Sequence, residues 1–129
     1  MMIKVKDFMT SPVATAVLDS DVGKLRDIMK LKGYSAIPIV ELKGEDILIR
    51  GIVTKNDLMG VFDDTVKAGQ IMTKAVYVID SDYGAPDAAR LMLEHGTHHL
   101  VVLEKGKLVG MISSFDFVRL AANNSNSNG

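Results

Sequence analysis

The chain has 129 residues, with 15 Lys and Arg against 16 Asp and Glu, a net charge of −1, and neither Cys nor Trp. That length allows one ordinary domain or two very small ones, and 47% apolar with 24% charged residues is the composition of a folded chain. Balanced charge argues against a nucleic-acid or anionic-membrane surface, and the lack of cysteine excludes disulfides, thiolate catalysis and cysteine-ligated metal.

Met1-Met2-Ile3-Lys4-Val5-Lys6-Asp7 carries no apolar stretch of the secretory type. No apolar run approaches the roughly 20 residues of a membrane span, so a cytoplasmic protein without a membrane partner is expected. After Met9-Thr10, the β-branched and apolar residues of Val13 to Leu18 predict a short strand. Asp19-Ser20-Asp21 offers N-cap side chains to a helix whose apolar face is Val22, Leu25, Ile28 and Met29 and which Gly33 ends. Ala36-Ile37-Pro38-Ile39-Val40 is an unbroken apolar run, the mark of a strand covered on both faces. A hairpin at Lys43-Gly44-Glu45-Asp46 returns the chain as Ile47 to Val53, and Thr54 stands where an N-cap opens a helix through Phe62.

The same βαββα order then repeats. Met72-Thr73 matches Met9-Thr10, and Val76 to Ile79 matches the first strand. Asp80-Ser81-Asp82 precedes a helix with Ala85, Ala88, Ala89 and Met92 on one face, Pro86 in its first turn and Gly96 at its end. Leu100-Val101-Val102-Leu103, a turn at Glu104-Lys105-Gly106-Lys107, and Leu108 to Ile112 form the second hairpin, and Ser113 opens a helix through Leu120. The expected domains are residues 3–62 and 66–122, followed by a disordered polar tail over 123–129. Each copy is too small to cover its own sheet, so a shared core is expected.

The repeated Gly51-Ile52-Val53-Thr54-Lys55-Asn56-Asp57 and Gly110-Met111-Ile112-Ser113-Ser114-Phe115-Asp116 carry the chemistry. A hydroxyl residue followed three positions later by a carboxylate is either a capping box or a ligand grip. In the second case the carboxylate accepts hydrogen bonds from a ribose cis-diol, and the hydroxyl and the free N–H groups of the helix face phosphate. Of the histidines, His95 reads as a surface residue, while His98 and His99 are neighbours on a strand and point to opposite faces, so no metal site is expected. Met9, Met29, Met59, Met72, Met92 and Met111 read as packing residues. No nucleophile elbow or phosphate-cradling glycine loop occurs, and no enzyme activity is expected.

Met-Thr at each copy's start, Tyr34-Ser35-Ala36-Ile37-Pro38-Ile39-Val40, and the doubled Gly-x-x-[Thr/Ser]-x-x-Asp closely resemble the CBS domain, named after cystathionine β-synthase. About residues 3 to 122 resemble one tandem pair, a Bateman module. The resemblance implies an α+β fold: two CBS-type βαββα units related by a pseudo-twofold axis, sheets facing each other and helices outside. It implies two adenosine-binding clefts. One joins Ala14, Thr15, Tyr34, Ser35 and Ala36 to Met111, Ser113 and Asp116. Its mate joins Val76, Tyr77, Thr97, His98 and His99 to Ile52, Thr54 and Asp57. Asp57 and Asp116 would hold ribose, and Thr54 and Ser113 phosphate or ribose. Tyr77 is bulkier than the residue many members carry, which distinguishes the second cleft. His98 or His99 would contact phosphate, and affinity would then rise as pH falls.

The implied function is a regulatory sensor of AMP, ADP, ATP or S-adenosylmethionine, with no other cofactor, no catalysis and a separate effector protein as its output. The alternative is a ligand-free interaction or structural module in which both [Thr/Ser]-x-x-Asp segments are only caps. Met59, Val61, Phe62, Phe115, Phe117, Val118 and Leu120 are more apolar than two solvent-facing helices require. With the family's habit of pairing modules as discs, they imply a homodimer through these helices and the Val22 to Met29 helix.

Overall fold

The computed structural model describes residues 2–124. In chain order the elements are α1 (Val5–Phe8), β1 (Ala16–Val17), α2 (Val22–Lys32), β2 (Ala36–Lys43), β3 (Asp46–Thr54), α3 (Lys55–Leu58), α4 (Ala68–Ile71), β4 (Val78–Asp80), α5 (Ala85–His95), β5 (His99–Glu104), β6 (Lys107–Ser113) and α6 (Ser114–Asn124). This is a mixed α+β chain with two three-stranded sheets, ordered β1-β2-β3 and β4-β5-β6. It divides into two compact units, Ala14–Val76 and the residues up to Val13 together with those from Tyr77 onward.

In the Ala14–Val76 unit, β1 runs parallel to β2 and β3 returns antiparallel, so α2 is the crossover. Ile37 and Ile39 pack on Val22, Leu25 and Met29 of α2, with Val53, Leu58 and Ala68 completing the cluster. Ala36, Pro38 and Val40 on the alternate face of β2 are buried too, as the unbroken apolar run requires. Asp21 occupies the N-cap position of α2 but makes no capping bond. Its carboxylate holds Lys67 Nζ at 2.6 Å, and the first N–H groups of the helix donate instead to the carbonyls of Val66 and Asp64. Chain segments distant in sequence thus replace the cap expected from Asp19-Ser20-Asp21.

The other unit repeats this plan with Ile79, Ala88, Met92, Leu100, Val102 and Ile112 as its cluster. Here Asp80-Ser81-Asp82 does not cap the helix. Gly84 is the N-cap, and Asp87 accepts its N–H at 3.0 Å from inside the first turn. Pro86 fixes this start, because proline fits only where its missing N–H has no intrahelical acceptor. Ser81 is fully buried and donates to Glu104.

Other elements depart from the sequence expectation. The helix after Thr54 stops at Leu58, because Met59 is extended and Gly60 turns the chain with φ of 86°. That after Ser113 runs on through Asn124. Asn123 and Asn124 are therefore helical, and residues 125–129 of the expected tail lie outside the described residues. The short α1 and α4 were not anticipated. Their signals are Lys4-x-x-Asp7 and Lys67-x-x-Gln70, in which the third-position side chain accepts the N–H of Lys4 at 2.8 Å and of Lys67 at 2.9 Å.

These short helices decide how the chain is partitioned. Val5 is buried in the Ile79–Ile112 cluster and Phe8 packs edge-on against Phe117, whereas Ala68 is buried in the Val22–Val53 cluster. The segment opening each sequence repeat thus packs with the other repeat's sheet, so residues 3–62 and 66–122 do not coincide with the spatial units. No helix among the described residues is long and apolar enough to cross a membrane.

Candidate functional site

Each unit ends its last strand in the same way. A β-bulge interrupts the β2–β3 pairing after Ile39 and the β5–β6 pairing after Val102. Just beyond it stand Gly51 and Gly110, which a methionine covers. A Cβ on Gly51 would lie 2.6 Å from Met72 Sδ and 2.8 Å from the Thr73 carbonyl. At Gly110 the corresponding distances are 2.6 Å to Met9 Sδ and 2.9 Å to the Thr10 carbonyl. Thr73 pairs with Ile52, and Thr10 with Met111, through reciprocal backbone hydrogen bonds of 2.8–3.0 Å. Met-Thr is therefore a clasp, and glycine is what lets it close.

The clasp delivers a hydroxyl to the carboxylate of the following helix. In the first copy Thr54 N–H donates to Asp57 Oδ2 at 2.9 Å, and Asp57 N–H donates to Thr54 Oγ1 at 3.2 Å, a complete capping box. Thr73 Oγ1 donates to Asp57 Oδ1 at 2.9 Å and lies 3.2 Å from Oδ2. In the second copy Ser113 N–H donates to Asp116 Oδ2 at 2.8 Å, and the Ser113 hydroxyl reaches the same oxygen at 3.3 Å. Thr10 Oγ1 donates to Asp116 Oδ1 at 3.1 Å, and the Arg119 guanidinium bonds the same oxygen while lying 5.9 Å over the Phe115 ring.

The two ends differ. Asp116 is buried, with 2% of its surface exposed, whereas Asp57 is half-buried. No donor among the described residues other than Thr73 reaches Asp57 Oδ1. The residue aligned with Arg119 is Gly60, which offers no side chain.

Strand register places the other expected residues. Ala36 pairs with Thr54, and Lys55 N–H donates to the Ser35 carbonyl at 3.0 Å, so Ser35 and Ala36 adjoin the Thr54–Asp57 end. His99 pairs with Ser113, and Ser114 N–H donates to the His98 carbonyl at 3.0 Å. His98 is exposed, with Nδ1 3.2 Å from Ser114 Oγ, and His99 is half-buried beside Thr97. Tyr77 stacks on His95 with ring centroids 4.1 Å apart. Ile52 and Met111 are buried. Ala14, Thr15, Tyr34, Ser35, Ala36, Ile52, Thr54, Asp57 and Val76 lie in one unit, and Tyr77, Thr97, His98, His99, Met111, Ser113 and Asp116 in the other. Thr10, Thr73 and Arg119 were missed as site residues. The repeated Met-Thr was the available signal for the threonines, and Arg119 stands one helical turn beyond Asp116.

Among the described residues no group of three or more His, Asp or Glu side chains is disposed to hold a metal ion. The packing reading of the methionines fails at Met59, which is 76% exposed.

The family model described as CBS domain matches residues 5–64 and 68–123. The chain belongs to the CBS domain family. This CBS pair is 36% identical over 122 residues to an uncharacterized protein of Methanocaldococcus jannaschii, covering 92% of the chain and 44% of that protein. Indeed, the chain spans about half or less of the length of several curated relatives it matches. Its fold is similar to a CBS-domain protein from Burkholderia ambifaria, with a TM-score of 0.72, 29% identity, and 85% and 82% of the two chains covered. A CBS domain pair solved in complex with 5′-methylthioadenosine and S-adenosyl-L-methionine aligns at a TM-score of 0.82, 23% identity, and 96% and 99% coverage.

Proposed function

We propose that this CBS pair is a regulatory module that binds an adenosine compound, AMP, ADP, ATP or S-adenosylmethionine, and performs no chemistry on it. The observation that carries this reading is Asp57. Its carboxylate is fixed by Thr54 and Thr73, half-buried beside Ser35 and Ala36, and retains an acceptor position on Oδ1 suited to a sugar hydroxyl. A CBS pair of the same fold holds two adenosine compounds, which supports the choice of ligand class. Bound ligand acts only through its differential affinity for conformations of the chain, so the output passes to a separate effector protein.

Self-association belongs to the same reading. Phe62 is 92% and Met59 76% exposed in one unit, and Phe115 is 65% and Val118 61% exposed in the other. Apolar groups of this size favour burial against a second copy. Val61 and Phe117, expected on the same face, pack instead with the cores of their own units.

Thermal unfolding with adenosine, AMP, ATP and S-adenosylmethionine tests the reading. A ligand at a hundred times its Kd adds about 2.7 kcal/mol, or about 10 °C for a domain of this size. Asp57→Ala should remove most of that rise. If none of the four compounds moves the Tm, the sensor reading fails and the ligand-free interaction module takes its place.

A further inference from the structure

The two acidic ends share a motif but not a state of occupancy. A carboxylate offers about four acceptor positions, two on each oxygen. At Asp116 they are all in use: Ser113 N–H and the Ser113 hydroxyl on Oδ2, Thr10 and Arg119 on Oδ1. At Asp57 the Thr54 N–H takes one position on Oδ2, a single hydroxyl proton, that of Thr73, spans both oxygens, and Gly60 replaces the arginine. We propose that Thr10 is a specificity-determining residue that, with Arg119 on the same Oδ1, closes the Ser113–Asp116 end to sugar hydroxyls, so that the Thr54–Asp57 end, where Thr73 has no such companion, takes an adenosine ligand first. This rests on the functional reading above and assigns the order in which the two ends fill.

Among the groups on Asp116, Thr10 is the one a ligand can displace most cheaply. Ser113 N–H belongs to the backbone at the helix start. Arg119 is charged and lies over Phe115, so its removal would leave a buried carboxylate without its cation. Thr10 carries no charge, and its main chain is fixed by the Met111 pairing at 2.8 and 3.0 Å. A χ1 rotation therefore frees Oδ1 while the clasp stays closed. A sugar hydroxyl at Asp116 Oδ1 meets both Thr10 and Arg119 and must first break the Thr10 bond, whereas one arriving at Asp57 Oδ1 meets Thr73 alone and takes the second acceptor position beside it. The difference of one hydrogen bond corresponds to about threefold to tenfold in affinity.

The test is an amide-resolved NMR titration of the full chain with adenosine, the moiety common to the proposed ligands. It is read separately at Thr54 and Asp57 and at Ser113 and Asp116. In the wild type the first pair should saturate at the lower concentration. Thr10→Val keeps the shape and removes the hydroxyl, and should tighten binding at Ser113 and Asp116 about threefold to tenfold while leaving Thr54 and Asp57 unchanged. Thr10→Ser should match the wild type. Thr10→Ala removes the hydroxyl with less bulk and should reproduce the valine result if that variant packs poorly. Unchanged affinity at Ser113 and Asp116 in both hydroxyl-free variants overturns the proposal alone, as does equal tightening by Thr10→Ser. If adenosine moves neither pair in any variant, the sensor reading is itself overturned, and the proposal with it.

Discussion

Gly110→Ala sets two effects of opposite sign against each other. Gly110 is not among the glycines with positive φ, so alanine meets no backbone strain there. Stiffening the unfolded chain alone would stabilise the protein by about 0.4–1 kcal/mol. Against this, the new Cβ would lie 2.6 Å from Met9 Sδ and 2.9 Å from the Thr10 carbonyl. The sulfur ends a flexible side chain and can move. The carbonyl cannot move alone, because it accepts Met111 N–H at 3.0 Å and belongs to a segment anchored by buried Val5. Overpacking of this kind costs about 1–3 kcal/mol, and weakening the reciprocal Thr10–Met111 bonds adds about 1 kcal/mol. The steric term wins, and we expect a net loss of about 1–3 kcal/mol.

Urea unfolding at an unchanged m-value measures that loss, and hydrogen exchange at Thr10 and Met111 should accelerate in the variant. Gly33→Ala is the contrast. It has φ of 72° with nothing within 4 Å of the new Cβ, so it strains the helix end without touching the clasp. Met9→Ala in the Gly110→Ala background should recover only part of the stability, because the carbonyl remains. A Gly110→Ala protein as stable as the wild type would refute the clasp, and full rescue by Met9→Ala would show that the sulfur alone is the obstacle.

Asp116→Ala should cost about 2–4 kcal/mol and Asp57→Ala about 1 kcal/mol, since the first removes a buried acceptor of several donors and the second a half-buried capping side chain; denaturant midpoints compare them. Lys6 holds the Asp82 carboxyl below its ordinary 3.8, first by a hydrogen bond and then by charge, and Asp82 holds Lys6 above 10.5 by the same causes. The stability this contributes is present between those values. It is lost as pH falls through the lowered Asp82 value and as pH rises through the raised Lys6 value. Lys6→Met should therefore flatten both limbs of a Tm–pH profile around Asp82, by a small amount because the pair is exposed. If the proposed self-association holds, light scattering at micromolar concentration should give a dimer for the wild type and a monomer for Phe62→Glu, which charges the most exposed of the aromatic groups; a monomeric wild type would refute it.

The strands, the two long crossover helices and the hairpins were legible because they rest on local chemistry. Apolar period, glycine C-caps at Gly33 and Gly96, and turn residues act within a few positions of one another. The [Thr/Ser]-x-x-Asp segments were legible for the same reason, as was their double meaning. Capping and ligand binding ask for the same atoms at the same spacing. Helix starts were less legible. Asp21 sits at a cap position yet pairs with Lys67, and the N–H groups it would have satisfied reach Val66 and Asp64. Any acceptor in reach serves an unpaired N–H, and sequence distance does not say which one arrives.

By itself, then, the order of residues determined the duplication, the βαββα unit and the place of both carboxylates, because each follows from contacts between near neighbours. Only the tertiary structure decided that each Met-Thr closes on the sheet of the other repeat, that Thr10 reaches Asp116 and Thr73 reaches Asp57, and that Phe117 is core while Phe62 is surface. These are meetings between segments far apart along the chain. They are set by which surfaces bury together once the elements exist, a quantity that no local spacing encodes.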